Sequence, residues 1–405
     1  MTHPKRAEVQ GPLRDHAPGF CAELKRQGYT SLSAANQLRL LAGVSRWLES
    51  QSLDTPDLTP ARIERFLQAR RNAGYTCWLS LRGLSPLLTY LRRTETIPAI
   101  LIPAPDTDLD RLLDAYVAYL HRERGLAATT VSERHRIAKR FLRECATRGS
   151  GQLDLGALTV EDIQRFMLQQ AQLWSVAHAK GVATALRSLL RFLHLRGDLS
   201  TSWVGAVPTV AGWRLTSLPR DIDPGHVDRL LGSCDRRRHV GRRDYAILLL
   251  LVRLGLRRGE VAALEMNDID WRRGKFIVRG KGRRHDTLPL PLEVGQAIEA
   301  YVRRGRPRVD CRRAFLRTRA PQGPLRPSAI SEVVTQACRR SGLPPIGAHQ
   351  LRHTAATQML RHGSSLAEIA QVLRHRHLAT TAIYAKVDRN ALATLVRPWP
   401  IGGDA

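Results

Sequence analysis

The chain has 405 residues, more than one hydrophobic core usually organises, so two or three domains are expected. Its 43% hydrophobic content excludes a mainly disordered chain. Lys and Arg number 64 against 36 Asp and Glu, a formal net charge of +28 that calls for a polyanionic partner, of which a phosphate backbone is the most common.

Met1–Phe20 mixes charges with prolines where an export signal needs an apolar stretch. The apolar run Ala246–Val252 ends at Arg253 and is far too short to span a bilayer. Six cysteines (Cys21, Cys77, Cys145, Cys234, Cys311 and Cys338) lie scattered without a C-x-x-C pair to hold zinc. The expectation is a cytoplasmic protein with reduced thiols and no membrane contact.

Two proline-bearing stretches, Pro98–Asp108 and Gly205–Pro224, read as linkers and leave three segments, 1–100, 107–204 and 218–400. The first two carry helical patterns and resemble each other. Trp47-Leu48 matches Phe141-Leu142, Leu58-Thr59 matches Leu158-Thr159, and Ile63-x-Arg65-Phe66 matches Ile163-x-Arg165-Phe166. Leu88-x-Tyr90-Leu91 matches Leu190-x-Phe192-Leu193. Thr59 and Thr159 read as helix caps, with Glu64, or Glu161 and Asp162, close behind. The last helix of the second copy carries Arg187 and Arg191, whereas the first copy has Ser85 and Pro86 there. Proline removes a helix donor and clashes with the preceding turn, so the first copy is expected to have lost a DNA-reading face.

In the third segment Asp223-Pro224 starts a helix through Val227, Leu230 and Leu231. A buried helix is predicted over Asp244–Leu254, and strands at Lys275–Arg279 and Thr287–Leu290 flank the glycine turn Gly280-Lys281-Gly282. Helices follow near Leu292–Arg303, Ser328–Arg340, His349–Arg361 and Ser365–Leu373. The predicted fold is α-rich and multidomain, with an α+β C-terminal part holding a small antiparallel sheet.

Several polar groups in this segment stand out. Arg257 and Glu260 are three apart, a spacing that on a helix shares one face, although an isolated pair of this kind is usually a surface ion pair. Lys281 sits between two glycines, either as a solubilising turn residue or as a mobile cation brought to a reacting oxygen. His349, Arg352 and His353 crowd one helix start, ahead of the buried-type Ala355, Ala356 and Met359. Tyr384 follows His375 by nine residues across Thr380-Thr381, which look like a helix start. Any one of these alone is ordinary.

Together, Arg257, Lys281, His349-x-x-Arg352, His375 and Tyr384 resemble, in order and in the strings GLRRGE, GKG, HQLRHT and LRH…TTAIY, the active site of the tyrosine recombinases, the phage integrase group. The likeness spans Leu218–Val396, and ALRSLLRFL in the second segment is similar to that family's helical, SAM-like core-binding domain. The resemblance implies a catalytic tyrosine recombinase fold and site-specific cutting and rejoining of double-stranded DNA through a 3′-phosphotyrosine. It also implies a mobile element as the carrier of the gene, no metal or other cofactor, and a homotetramer on two DNA sites, alone or with other recombinases. The tail Asn390–Val396 would then dock on a neighbouring protomer.

The chemistry suits the residues. Charge that builds on the non-bridging phosphate oxygens can be bound by two Arg forks, Arg257 and Arg352. His349 and His375 can add hydrogen bonds, one of them accepting the phenol proton. Tyr384 attacks, and Lys281 is the general acid that the resemblance implies for the departing oxygen. Glu260 and His353 are expected to orient the Arg257 guanidinium. Lys139, Arg140, Arg187 and Arg191 are candidates for contact with phosphates or base edges. Two residues depart from the family: Arg258, where an apolar residue is common, and Arg374, where Gly is usual and where a cation should lower the pKa of His375. Two other readings stay open, a topoisomerase of type IB and a DNA-binding regulator that uses Ala367–Leu373 and Thr380–Tyr384 as a helix-turn-helix. A catalytically dead copy would need the set of six to be broken.

Overall fold

The computed structural model describes residues 8–98, 107–146, 154–211, 222–280, 284–375, 380–381 and 383–384. Lys281, the middle of both expected linkers and the tail candidate at 390–396 lie outside these residues. The chain forms two compact units, Met1–Ile100 with Ser217–Ala405, and Leu101–Thr216. No helix among the described residues is long and apolar enough to cross a membrane.

The first segment folds as α1 (Ala17–Arg26), α2 (Ser31–Ser50), α3 (Pro60–Asn72) and α4 (Leu81–Arg93) around Phe20, Leu41, Leu48, Phe66 and Leu87. The second folds as α5 (Asp108–Arg122), α6 (Ala128–Ala146), α7 (Val160–Leu173) and α8 (Val176–Leu195), around Tyr116, Phe141, Phe166 and Leu189. Thr59 accepts from the Arg62 amide and Thr159 from the Asp162 amide, so the caps of α3 and α7 form as their sequences dictate. The two cores also repeat their aromatic contacts. Trp47 meets Phe66 edge-on at 5.7 Å, and Phe141 meets Phe166 edge-on at 5.2 Å. Phe20 tilts against Tyr90 at 5.4 Å, and Tyr116 against Phe192 at 5.2 Å.

Pro86 lies inside α4 without breaking it. α4 runs through it because Leu84, Leu87, Leu88 and Leu91 are all buried, and burying that many apolar side chains outweighs the roughly 3 kcal/mol that an interior proline costs.

The C-terminal segment begins with α9 (Pro224–Gly232), its Asp223 cap accepting from the Gly225 amide. α10 (His239–Arg253) is the central helix, with Ala246–Val252 wholly enclosed. It starts five residues before the predicted Asp244, and Arg243 and Asp244 pair inside the protein at 2.7 Å. Next come α11 (Arg258–Ala263) and a three-stranded antiparallel sheet of β1 (Ile269–Asp270), β2 (Lys275–Arg279) and β3 (His285–Pro289), in the order β1-β2-β3. Phe276, Val278 and Leu288 turn inward, the period of two expected of a half-covered sheet. β3 begins two residues before its apolar stretch because the ladder continues to the turn, where Arg279 pairs His285 and the Gly280 amide donates to the Arg284 carbonyl at 2.8 Å. The helices α12 (Leu292–Arg304), α13 (Pro327–Ser341), α14 (Ala348–Arg361) and α15 (Leu366–Leu373) complete the α-rich fold.

Candidate active site

The site assembles where α10 ends. Gly255 turns the chain with a φ of +57°, and a Cβ there would lie 2.6 Å from a Leu373 methyl, so only glycine fits. Its carbonyl accepts from Arg352 on α14, and a second nitrogen of the same guanidinium donates to the Leu373 carbonyl at the end of α15. Arg352 is 2% exposed and thereby ties three separate parts of the chain together. Burial, followed by repulsion from Arg257, lowers its pKa to about 10. It still carries its charge at neutral pH, a buried cation that an incoming anion would neutralise.

Arg257 is the residue before α11 rather than a member of it. Its amide donates to Glu260 Oε2 at 2.8 Å and its guanidinium to Glu260 Oε1 at 2.7 Å, so Glu260 orients this arginine as its spacing suggests. A second cation that the sequence reading had not connected to it also holds Glu260. Arg374 donates to Glu260 Oε2 at 2.7 Å, and the two side chains are 5% and 4% exposed. Arg374 caps α15 in the left-handed region, φ +56°, where glycine is usual. Burial pushes the Glu260 carboxyl up, but Arg374 and then Arg257 outweigh it and hold the pKa below the usual range. A basic residue in place of a helix-ending glycine was the available sequence signal for this pair. Arg258 points away, to Ser331 Oγ at 3.3 Å.

Arg257, His349 and Arg352 line one cavity of about 510 Å³. A second, of about 640 Å³, has His285 and Asp286 of β3 on one wall and Arg374 and His375 on the other. The start of β3 therefore faces His375 across this cavity, while Lys281 is outside the described residues.

Tyr384 is 1% exposed and packs on Ala356, Ile369 and Leu373. Its hydroxyl lies 2.8 Å from His353 Nδ1. His353, expected to orient Arg257, thus meets the phenol instead, because α14 places it four residues beyond His349 on the same face, with the two rings 4.5 Å apart. His375 stacks parallel to Tyr384 at 6.5 Å and bonds Thr381 Oγ1 at 2.7 Å through Nδ1.

Burial lowers the pKa of His353 to about 4, helped by His349 and Arg352. It does the same to His375, also to about 4, with Arg352 and Arg257 ahead of Arg374 among the contributing charges. The cation beside His375 therefore acts in the expected direction but as a lesser cause. His349 is lowered too, by burial and then Arg352. Burial raises the Tyr384 phenol, opposed by Arg352. The site at neutral pH thus holds neutral imidazoles, a protonated phenol and two or more guanidinium cations.

The residues proposed for DNA contact in the second segment are partly engaged. Lys139 lies 3.8 Å from Asp110 and Arg140 3.2 Å from Glu144, while Arg187 donates to the Val207 carbonyl at 2.9 Å. Arg191 is exposed on α8.

With this geometry in view, the comparisons agree on one family. The model of the phage integrase family matches residues 220–391. A Sinorhizobium fredii protein named as an integrase/recombinase, y4rA, is 40% identical, covering 96% of this chain and 95% of its own length. The tyrosine recombinase XerD of Listeria monocytogenes serotype 4b is 28% identical over 69% of this chain and 95% of that protein. Among solved structures, the XerH site-specific recombinase bound to palindromic difH in a post-cleavage complex shares the fold, with a TM-score of 0.56, 17% identity, and coverage of 82% of this chain and 93% of that one. A lambda integrase tetramer bound to a Holliday junction does likewise, with a TM-score of 0.51, 17% identity, and coverage of 78% and 87%. The chain belongs to the phage integrase family and is a tyrosine-type site-specific recombinase.

Proposed function

We propose that Tyr384 is the nucleophile that cuts double-stranded DNA and holds it as a 3′-phosphotyrosine, and that the reaction integrates, excises or transposes a mobile element. The observation that carries this is the 2.8 Å contact between the Tyr384 hydroxyl and a neutral imidazole beside the Arg352 guanidinium. In the step, the phenol oxygen bonds to phosphorus as the bond from phosphorus to the 5′ oxygen breaks. His353 takes the phenol proton, and Lys281 gives one to the departing 5′ oxygen. Arg257 and Arg352 bind the charge on the non-bridging oxygens, with His349 and His375 adding hydrogen bonds. One phosphate ester replaces another of similar energy, so the cut is reversible and rejoining to a second strand needs no ATP.

Tyr384 is buried, so the site must open for a phosphate to reach the phenol, and the base role of His353 requires that its contact with the hydroxyl is kept as it does. The segments 1–100, 107–204 and 218–400 are read as a divergent copy of the core-binding domain, the core-binding domain with Lys139, Arg140, Arg187 and Arg191 toward DNA, and the catalytic domain. The repeated aromatic pairs support the duplication. The DNA-bound tetramer among the neighbours supports four copies acting on two sites.

The test is a nicked duplex carrying one end of the mobile element, from which the cleaved strand diffuses away. The parent chain forms an SDS-resistant adduct and Tyr384→Phe forms none, while a DNA-binding regulator would form none in either. Supercoil relaxation without strand exchange between two element ends would instead favour the topoisomerase reading.

A further inference from the structure

The first helical segment carries a basic and aromatic groove that the reaction does not use. Along the exposed side of α2, Asn36, Arg39, Gly43 and Arg46 follow at steps of three and four, which puts them on one stripe. The chain between α3 and α4 rises beside the stripe with Tyr75 and Trp78, and Arg70 joins them to enclose about 500 Å³. Gly43 keeps the floor open, since a Cβ there would meet only Arg70 Nη1, at 3.7 Å.

The lining sets cations beside two aromatic rings. The Arg70 guanidinium lies 4.0 Å over the Tyr75 ring and donates to the Cys77 carbonyl at 3.1 Å, while its Nε is buried without a partner. Arg39 donates to neutral Asn36 at 2.7 Å. Among the described residues none of Arg39, Arg46 and Arg70 has a carboxylate partner, and Glu8 is the acid on the rim. Trp78 is 39% exposed although its φ is +62°, a conformation that costs a non-glycine residue about 1–2 kcal/mol. An aromatic held exposed at such a cost is more at home in a binding surface than in a loop of no use. The second segment differs at the matching positions, although Arg140 stands opposite Arg46. The match of Trp47 with Phe141 sets Glu133 opposite Arg39, and buried Ile137 opposite Gly43.

We infer that this groove binds the phosphate backbone of duplex DNA, a contact separate from the catalytic site and from the α8 face. The inference rests on the reading of DNA as substrate. Arg39 and Arg46 are two turns apart, about 10 Å along the helix, so each reaches its own phosphate, and such contacts position the protein without reading sequence.

The experiment measures binding of the full chain to a 40-base-pair duplex of generic sequence across a salt series. Arg39→Gln/Arg46→Gln is compared with Arg14→Gln/Lys25→Gln, exposed cations of the same segment outside the groove, and melting curves check that both fold. Each lost phosphate contact lowers the slope of log affinity against log salt by about 0.9, so the groove variant loses about 1.8 and the control less than half of that. Equal changes in both variants, or none in either, overturn the inference. So does a preference for single strands that Trp78→Ala abolishes. Adducts through Tyr384 are scored in parallel. Normal adducts with an unchanged slope reject the groove alone, whereas a changed slope without any adduct on a nicked element end rejects Tyr384 as the nucleophile and leaves the groove standing.

Discussion

Arg374 reaches across 114 residues of sequence to Glu260, and its guanidinium lies 2.7 Å from the carboxylate that also holds Arg257. One buried acid therefore couples the end of α15, just before His375, to the arginine expected to grip phosphate.

Replacing Arg374 by Gly tests that coupling. Glycine relieves the left-handed backbone, about 1–2 kcal/mol, but removes one partner of a buried pair, about 3–5 kcal/mol. Glu260 keeps Arg257, so a net destabilisation of about 1–3 kcal/mol is expected in urea melts, with adduct formation slowed at least tenfold. A more stable, fully active variant would show that Arg374 is incidental. Because the Glu260 pKa is depressed on folding, its stabilisation is complete above the unfolded carboxylate value of about 4.3 and is lost as pH falls below it. Glu260→Gln removes that acid-side decline.

Histidine protonation gives a second window. His353 and His375 sit at about 4 in the folded chain against 6.5 for a free imidazole. The unfolded chain takes up these protons first, so stability is full above pH 6.5 and declines between 6.5 and about 4. Denaturation midpoints across that range check it, and His353→Asn flattens the decline. Adduct formation should hold level from pH 7 to 5 as far as these two groups control it.

His353→Leu removes the partner of the Tyr384 hydroxyl. A lost proton acceptor slows strand cleavage by roughly 10²–10⁴-fold. DNA affinity stays unchanged, because His353 faces the phenol rather than the cavity lined by Arg257, His349 and Arg352. Full-rate single-turnover cleavage by this variant would return the base role to His375 or His349.

Gly255→Ala places a methyl 2.6 Å from Leu373 and strains a positive φ. Overpacking and backbone strain together cost about 2–4 kcal/mol. Because the Gly255 carbonyl holds Arg352, cleavage should fall more steeply than the folded fraction does. Activity that tracks the folded fraction alone would argue against positioning through this carbonyl.

What was legible in the sequence follows the range of the forces involved. Caps act within one turn, so Asp223-Pro224, Thr59 and Thr159 marked their helices correctly. The strings around Arg257, His349 and Arg352, which the fold brings to one cavity, could likewise be read residue by residue. β1 is two residues long, too short for any period to register. The Glu260–Arg374 pair and the contact of His353 with Tyr384 are set by how α11, α14 and α15 pack, and no spacing along the chain encodes them.

The most direct measurement is to map the covalent bond itself. The adduct on a nicked substrate is digested, and the peptide that carries the nucleotide is sequenced by mass spectrometry while both DNA ends at the cut are assayed. The account predicts a nucleotide on Tyr384, a blocked 3′ end and a 5′ hydroxyl that a kinase can label. A nucleotide on another residue, or a free 3′ hydroxyl beside a blocked 5′ end, would contradict it.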